Sequence, residues 1–405
     1  MLQVDMEEKD ISEIKLAPDV VIKVIGVGGG GGNALNRMIQ SGIEGVDYIA
    51  VNTDAMALNS SKSPVKVQIG QKLTGGRGAG AKPEIGEKSA QENKDEIAAA
   101  IKDSNMVFIS AGMGGGTGTG AAPVVAQIAQ DMGILTVGVV TKPFGFEGRK
   151  KMEKAEQGIA DLKNHVDALV VIPNAKLLEV SERKLTMIES FAMSDEILHT
   201  AVKAIAEIVT VESYMNVDFA DVESTLKNAG FAHMAVGRGS GKDKVQDALN
   251  GVISSPLLET SISGAKRLLL NVTFAPDVYL DDVNELAEKI EQAAAPDVDI
   301  IFGSSPDESL DDTISVTVIA AGFDESDVVN VNNVNVNVDN QLMNEAMREF
   351  ANARGASLSS PFSPSSAFTQ TTRGGSPLYT YQQPSQQSRA MNDDDDLLSM
   401  FNNRK

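Results

Sequence analysis

The sequence predicts an α/β fold in which a parallel sheet of Rossmann type carries helices on both faces. Three observations support this. Short β-branched runs alternate with segments of helical period. Helical patterns lie between successive strands, at the spacing that βαβ units require. Two dense glycine clusters each lie between a predicted strand and a predicted helix.

Along the chain, residues 1–19 form a charged tail without period. Val20-Val21-Ile22-Lys23-Val24-Ile25-Gly26-Val27 then reads as a buried strand. Further strands are predicted over 48–51, 106–110, 135–140 and 169–172, with helices over 92–102 and 123–132. A long helix over 194–211 follows, in which Leu198, Val202, Ile205 and Val209 recur at helical spacing beside Ala201 and Ala204. Strands over 266–273 and 313–320, with a helix over 281–294, predict a second, smaller α/β domain ending near Gly322. Residues 328–340, an Asn and Val repeat, read as linker because Asn is a poor strand former. A short helix is predicted over 343–353. Residues 355–391, rich in Ser, Gln, Pro and Gly, are expected to be disordered.

Composition narrows the function. The 405 residues exceed one ordinary core, so two domains and a tail are expected. No apolar run approaches a membrane span, and the acidic start MLQVDMEEKD does not read as a signal peptide. Zero cysteines exclude disulfides, thiolate metal sites and a Cys nucleophile, and suit a reducing cytoplasm. A net charge of −21 argues against a nucleic-acid partner. His165, His199 and His233 lack ligand-pair spacing, so no protein metal site is expected.

The first cluster runs from Gly26 to Asn33 and enters a helix near Ala34. The second, Gly112-Met113-Gly114-Gly115-Gly116-Thr117-Gly118-Thr119-Gly120, precedes a helix whose first turn is expected to hold Pro123. Glycines let backbone N–H groups approach phosphate oxygens, and a helix N-terminus adds favourable potential. Two such loops at one end of a parallel sheet converge on a triphosphate-sized site. The first cluster also fits a dinucleotide fingerprint through Gly26, Gly28 and Gly31. That alternative places its acidic residue late, at Asp54, and leaves the second cluster without a role.

Gly115-Gly116-Thr117-Gly118-Thr119-Gly120 matches the tubulin signature, and residues 20–323 resemble the FtsZ family of bacterial cell-division GTPases. The resemblance implies a GTP-binding domain over 20–190, a central helix over 191–215 and a C-terminal α/β domain over 216–323. A linker over 324–392 and a partner-binding peptide over 393–405 follow. It implies GTP or GDP as ligand, with Mg²⁺ held mainly through the phosphates. Gly29, Gly30, Gly31, Gly32 and Asn33, with Gly114, Gly115, Gly116, Thr117 and Gly118, would cradle the phosphates. Residues 74–86, with Gly78-Ala79-Gly80, resemble the γ-phosphate-sensing loop. Thr141 to Gly148 resembles the ribose loop, with Glu147 accepting from a hydroxyl. Asn174, Phe191 and Asp195 match guanine-binding positions, and Lys151 lies near the phosphates.

Asn216-Val217-Asp218-Phe219-Ala220-Asp221-Val222 resembles the synergy loop, which in the family enters the nucleotide site of the next subunit. Asn216, Asp218 and Asp221 are thereby the implied catalytic residues. On their own, the two aspartates read equally as a helix cap or a solvated face, and Asp195 as a helix N-terminal acid. The acidic run Asp393 to Asp396 reads alone as a solvated tail. Beside Leu397, Leu398, Met400 and Phe401 it suggests a ligand for a membrane-tethering partner.

The implied function is a GTPase that polymerises head to tail at the division site. The alternative from another class is a nucleotide-binding scaffold or regulatory paralogue with weak hydrolysis. Departures from the family pattern lie at Lys82, Lys151, Ala175, Glu212-Ser213 and Leu398-Ser399.

Overall fold

The computed structural model describes residues 20–43, 45–180, 184–210, 217–255, 257–258 and 262–323. The expected linker, the helix over 343–353, the terminal peptide, Asn216 and Glu212-Ser213 lie outside the described residues.

The chain opens with β1 (Ile22–Val27), α1 (Gly28–Ser41), β2 (Val46–Asn52), α2 (Ala55–Ser60), β3 (Val65–Gln68) and α3 (Gln71–Thr74). It continues through α4 (Pro83–Glu92), α5 (Lys94–Ile101), β4 (Met106–Gly112), α6 (Thr117–Asp131) and β5 (Leu135–Lys142). Next come α7 (Arg149–Lys163), β6 (Ala168–Pro173), α8 (Asn174–Val180) and the 24-residue α9 (Met187–Thr210). The C-terminal part holds α10 (Phe219–Leu226), β7 (Gly230–Ser240), α11 (Lys244–Ile253), β8 (Arg267–Phe274), α12 (Leu280–Ala293), β9 (Asp299–Pro306) and β10 (Thr313–Ala321).

The strands form one sheet in the order β3-β2-β1-β4-β5-β6-β7-β10-β8-β9. Its first six strands are all parallel, and their order reverses between β1 and β4. Such a switch point opens a crevice at the carboxyl ends of the strands, because the flanking helices leave on opposite faces. β7 continues the sheet from β6 through Ala168↔Gly230, Leu169↔Phe231 and Val170↔Ala232. Beyond it β10 runs antiparallel to both β7 and β8, the mark of the second domain.

Two apolar layers bury the faces of the parallel sheet. One joins α1 and α9 to Val24, Phe108, Val137 and Val170; the other packs α5 and α6 on Ile25, Ile109 and Val140. α9 is held by the predicted stripe: Leu198, Val202 and Ile205 are buried, and so are Ala201 and Ala204 beside them. A third cluster, including Leu268, Leu270 and Val316, forms the core of the C-terminal domain. Among the described residues no helix is long and apolar enough to cross a membrane.

Several expectations are corrected. α1 begins at Gly28 rather than near Ala34, and α6 at Thr117, so Pro123 is its seventh residue and not in the first turn. Glycine disfavours helix by up to about 1 kcal/mol per residue, so the sequence understates both starts; packing overrides the propensity. α9 begins seven residues before the predicted start, at Met187. The helix predicted over 92–102 is α5; α4, just before it across Asn93, escaped the sequence reading, and Asn93 Oδ1 accepts from the N–H of Gly70 at 2.8 Å. Strands β3, β7 and β9 escaped the sequence reading. β7 contains Gly237 and Gly239, where a Cβ would lie 1.9 Å from the carbonyl oxygens of Ala248 and Lys244 on α11. Glycine there admits a helix backbone against the strand, and it lowers the strand signal for the same reason.

Candidate active site

A cavity of about 430 Å³ opens at the switch point. It is lined by Gly29, Gly30 and Asn33 of α1 and by Gly115, Gly116, Thr117 and Gly118 after β4. Glu147, Lys151, Asn174, Phe191 and Asp195 complete the predicted residues that it brings together.

The two glycine loops meet backbone to backbone. A Cβ on Gly30 would lie 3.0 Å from Cα of Gly112, and one on Gly28 would lie 2.7 Å from the amide nitrogen of Gly118. Gly29 and Gly115 face open space, where an anion can approach their N–H groups. The first amides of α1 and α6 lack intrahelical acceptors, so both helices point unsatisfied donors at one volume.

Gly31, Gly32 and Gly114 do not line this cavity. Gly31 packs on β4, where a Cβ would come within 2.1 Å of the Ser110 carbonyl oxygen. Gly114, at φ +95°, packs on Lys151, and its N–H donates to Thr119 Oγ1 at 2.8 Å. Gly32 faces a smaller recess on the β2 side, beside Asn36 and Val51.

The rest of the lining comes from the end of β5 and the loop after it, α7, the start of α8 and α9. Glu147 is held twice: its Oε1 accepts from the Phe144 N–H at 2.9 Å, and its Oε2 pairs with Lys151 Nζ. Phe191 stands edge-on to Phe144 and Phe146, with centroids 5.2 and 6.3 Å away, and leaves its ring 40% exposed. Asp195 lies three residues, about five-sixths of a turn, before Leu198 on the same helix. Burial pushes its carboxyl up to about 6, and the Arg37 guanidinium opposes part of that rise. The Ser194 hydroxyl donates to Asn174 Oδ1 at 2.8 Å, and both residues are buried.

Asp218 and Asp221 are elsewhere. Asp195 to Thr210 spans about 22 Å of helix, which carries the chain away from the cavity. α10 then precedes Gly230, which pairs with Ala168 at the start of β6, whereas Asn174 in the cavity follows its end. Arg267 at the start of β8 donates to the carbonyls of Ser224 and Thr225 at 2.7 and 2.8 Å, fixing α10 at that edge. Asp218 is the N-cap of α10 without a side-chain cap bond, and both carboxylates are exposed.

The sequence reading gave Ser194 no role, placed Leu198 only in the apolar stripe of the helix, and named Thr53 only as part of the 51–54 stretch that resembles the family's loop after the second strand. Thr53 is fully buried and its Oγ1 lies 2.6 Å from Thr117 Oγ1. For Ser194 a signal existed: it continues the apolar series of Leu198, Val202 and Ile205 toward the N-terminus, and a hydroxyl in a buried stripe needs a partner.

An anion cradle at the switch point of a 3-2-1-4-5-6 sheet, with a long helix leading from it to a second domain, defines the tubulin-like nucleotide-binding class. Over residues 21–182 the chain matches the Tubulin/FtsZ family, GTPase domain, and over 230–324 the FtsZ family, C-terminal domain. The chain belongs to the FtsZ branch of this family of GTP-hydrolysing enzymes. It is 43% identical to FtsZ of M. jannaschii, solved as an empty dimer, with a TM-score of 0.73 over 75% of this chain and 88% of that one. A mutant of that protein matches at 43% identity and TM-score 0.73, over 75% of this chain and 92% of its own. CetZ2 of Haloferax volcanii, solved as a GTPγS-bound protofilament, shares the fold at 22% identity and TM-score 0.64, over 80% of this chain and 99% of that one.

Proposed function

We propose that the protein is a bacterial cell-division GTPase that polymerises head to tail and hydrolyses GTP at sites shared between successive subunits. One observation carries this reading: Asp218 and Asp221 belong to the opposite edge of the sheet from the cavity. Among the described residues, the carboxylates lining the cavity are Glu147, which is already paired with Lys151, and Asp195.

In this reading Gly29, Gly30 and Asn33, with Gly115 to Gly118, hold the phosphates. Glu147 accepts from the ribose, and Asn174, Phe191 and Asp195 hold the guanine. A carboxylate at Asp195 accepts from guanine N1–H and the 2-amino group, donors that adenine lacks. Mg²⁺ would neutralise phosphate charge, carried by phosphate oxygens and water.

Phosphoryl transfer to water needs positioning and charge stabilisation more than covalent help. The Asp218 and Asp221 carboxylates of one subunit, with Asn216, orient and polarise the water against the γ-phosphate held by the next. A contact between two different surfaces that does not close builds a filament, so hydrolysis follows assembly. The filament would form the cytokinetic ring on the cytoplasmic face of the membrane at the division septum. Residues 393–405 would bind a membrane-tethering partner.

Mixing subunits tests the shared site. Thr117→Arg damages the cradle and Asp221→Ala damages the loop. Equal amounts of the two should hydrolyse GTP faster than the sum of their separate rates, since a sound cradle then meets a sound loop. Activity that never exceeds that sum removes the main support for the proposal.

A further inference from the structure

α10, which carries Asp221 in its first turn and Asp218 as its N-cap, is only eight residues long. A helix that short does not persist by itself in water, where about 12–15 residues are needed. Its position therefore depends on what it is tied to. Val222, Thr225 and Leu226 bury one face of it. Its C-terminal end is held by a side chain from another element.

The backbone N–H groups that would continue α10 are spent elsewhere. That of Asn228, whose φ of +52° turns the chain out of the helix, donates to Asp167 Oδ1 at 3.4 Å. That of Ala229 donates to the Leu226 carbonyl at 3.2 Å. Among the described residues, no backbone N–H reaches the carbonyls of Ser224, Thr225 or Lys227. Arg267 Nη1 donates to all three, at 2.7, 2.8 and 3.4 Å. Orphan carbonyls at a helix C-terminus favour a cation, and a guanidinium serves several acceptors at once.

Arg267 is a fixed anchor. It opens β8, and its backbone is paired with Ala321 of β10 on one side and Asp299 of β9 on the other. From its grip at Ser224, Asp221 is three residues away, about 4.5 Å along the helix axis. Ser224 Oγ also donates to the Asp221 carbonyl at 2.8 Å.

We propose that Arg267 is a positioning residue for hydrolysis, holding the C-terminal carbonyls of α10 so that Asp218 and Asp221 stand correctly for the neighbouring subunit's site. This rests on the shared-site reading above. Arg267 acts through the backbone of the helix and not on the carboxylates themselves.

Mixtures of full-length variants test the role. Arg267→Met keeps the side-chain stem and removes the donors. It should lower GTP turnover about tenfold and leave GTP affinity within about twofold of wild type, because misplacing a catalytic group costs rate while the cradle is remote. Mixed in equal amounts with Thr117→Arg, it should hydrolyse GTP faster than the sum of the separate rates, since its own cradle is sound and its partner's loop is sound. Mixed with Asp221→Ala it should gain nothing, because neither has a sound loop. If Arg267→Met does not fold, Arg267→Lys, which keeps the charge but not the fork, takes its place in the same mixtures. Wild-type turnover, a loss of GTP affinity equal to the loss of rate, or a gain with Asp221→Ala overturns the proposal. The mixture of Thr117→Arg with Asp221→Ala separates the two levels. If that mixture shows no gain, the shared-site reading fails; if it gains and Arg267→Met with Thr117→Arg does not, only the role of Arg267 fails.

Discussion

Thr53 Oγ1 and Thr117 Oγ1 lie 2.6 Å apart, joining the end of β2 to the first residue of α6 across the floor of the cavity. Either hydroxyl can donate. A phosphate offers only acceptors, so if Thr117 donates to one, as the proposed site requires, Thr53 donates to Thr117.

Thr53→Val keeps the shape of that side chain and removes the donor. The change should cost about 1–2 kcal/mol of stability and weaken GTP about fivefold. Urea unfolding beside nucleotide titration checks both; a variant equal to wild type in each would make this bond incidental.

Asp218 separates a structural from a catalytic role. An N-cap side chain in use contributes about 1 kcal/mol, but Asp218 makes no cap bond. Asp218→Ala should therefore leave the melting temperature nearly unchanged while lowering hydrolysis by about 10² or more. GTP binding should persist. A loss of activity matched by a loss of stability would return Asp218 to the helix cap.

Asp195 predicts a pH dependence with opposite signs for the empty and loaded protein. Its carboxyl, ordinarily near 3.8, stands at about 6 when folded, because burial disfavours the charge. The empty fold thus holds this proton more tightly than the unfolded chain. That contribution is complete below pH 3.8 and is lost as pH rises through 6. In the proposed site guanine needs the carboxylate, so binding would expel the proton. GTP affinity should climb between pH 5 and 6.5, by at most about tenfold per unit, and level off above 7. Asp195→Asn should lose this component, whereas phosphate titration in the same window is common to both proteins. Calorimetry in buffers of different ionisation enthalpy counts the released proton; equal slopes for the two proteins would refute the assignment.

Lys151 offers a point charge to Glu147, with its side chain 40% exposed against 14% for its partner. An arginine would present a planar fork, able to keep Glu147 and reach a phosphate together. Lys151→Arg should lower the assembly threshold by up to about fivefold, equivalent to roughly 1 kcal/mol. Light scattering across a concentration series measures it. An unchanged threshold and turnover would mark Lys151 as neutral.

The sequence by itself determined the parallel sheet, the two glycine loops and the apolar stripe of α9. These follow from local pattern: β-branched runs, glycine between strand and helix, and Leu198, Val202 and Ile205 at one helical spacing. It also showed Asp195 and Glu147 through family resemblance, though neither is informative alone. Only the tertiary structure decided which glycines serve the cavity. Gly31 and Gly29 are identical in sequence terms, yet one lies under the Ser110 carbonyl and the other faces open space. β7 was hidden because Gly237 and Gly239 answer to the backbone of α11, a partner distant in the chain. The Thr53–Thr117 and Ser194–Asn174 bonds join residues 64 and 20 positions apart. Local patterns record the turn and face that each residue occupies, whereas such pairings exist only after β2, α6, α8 and α9 have packed.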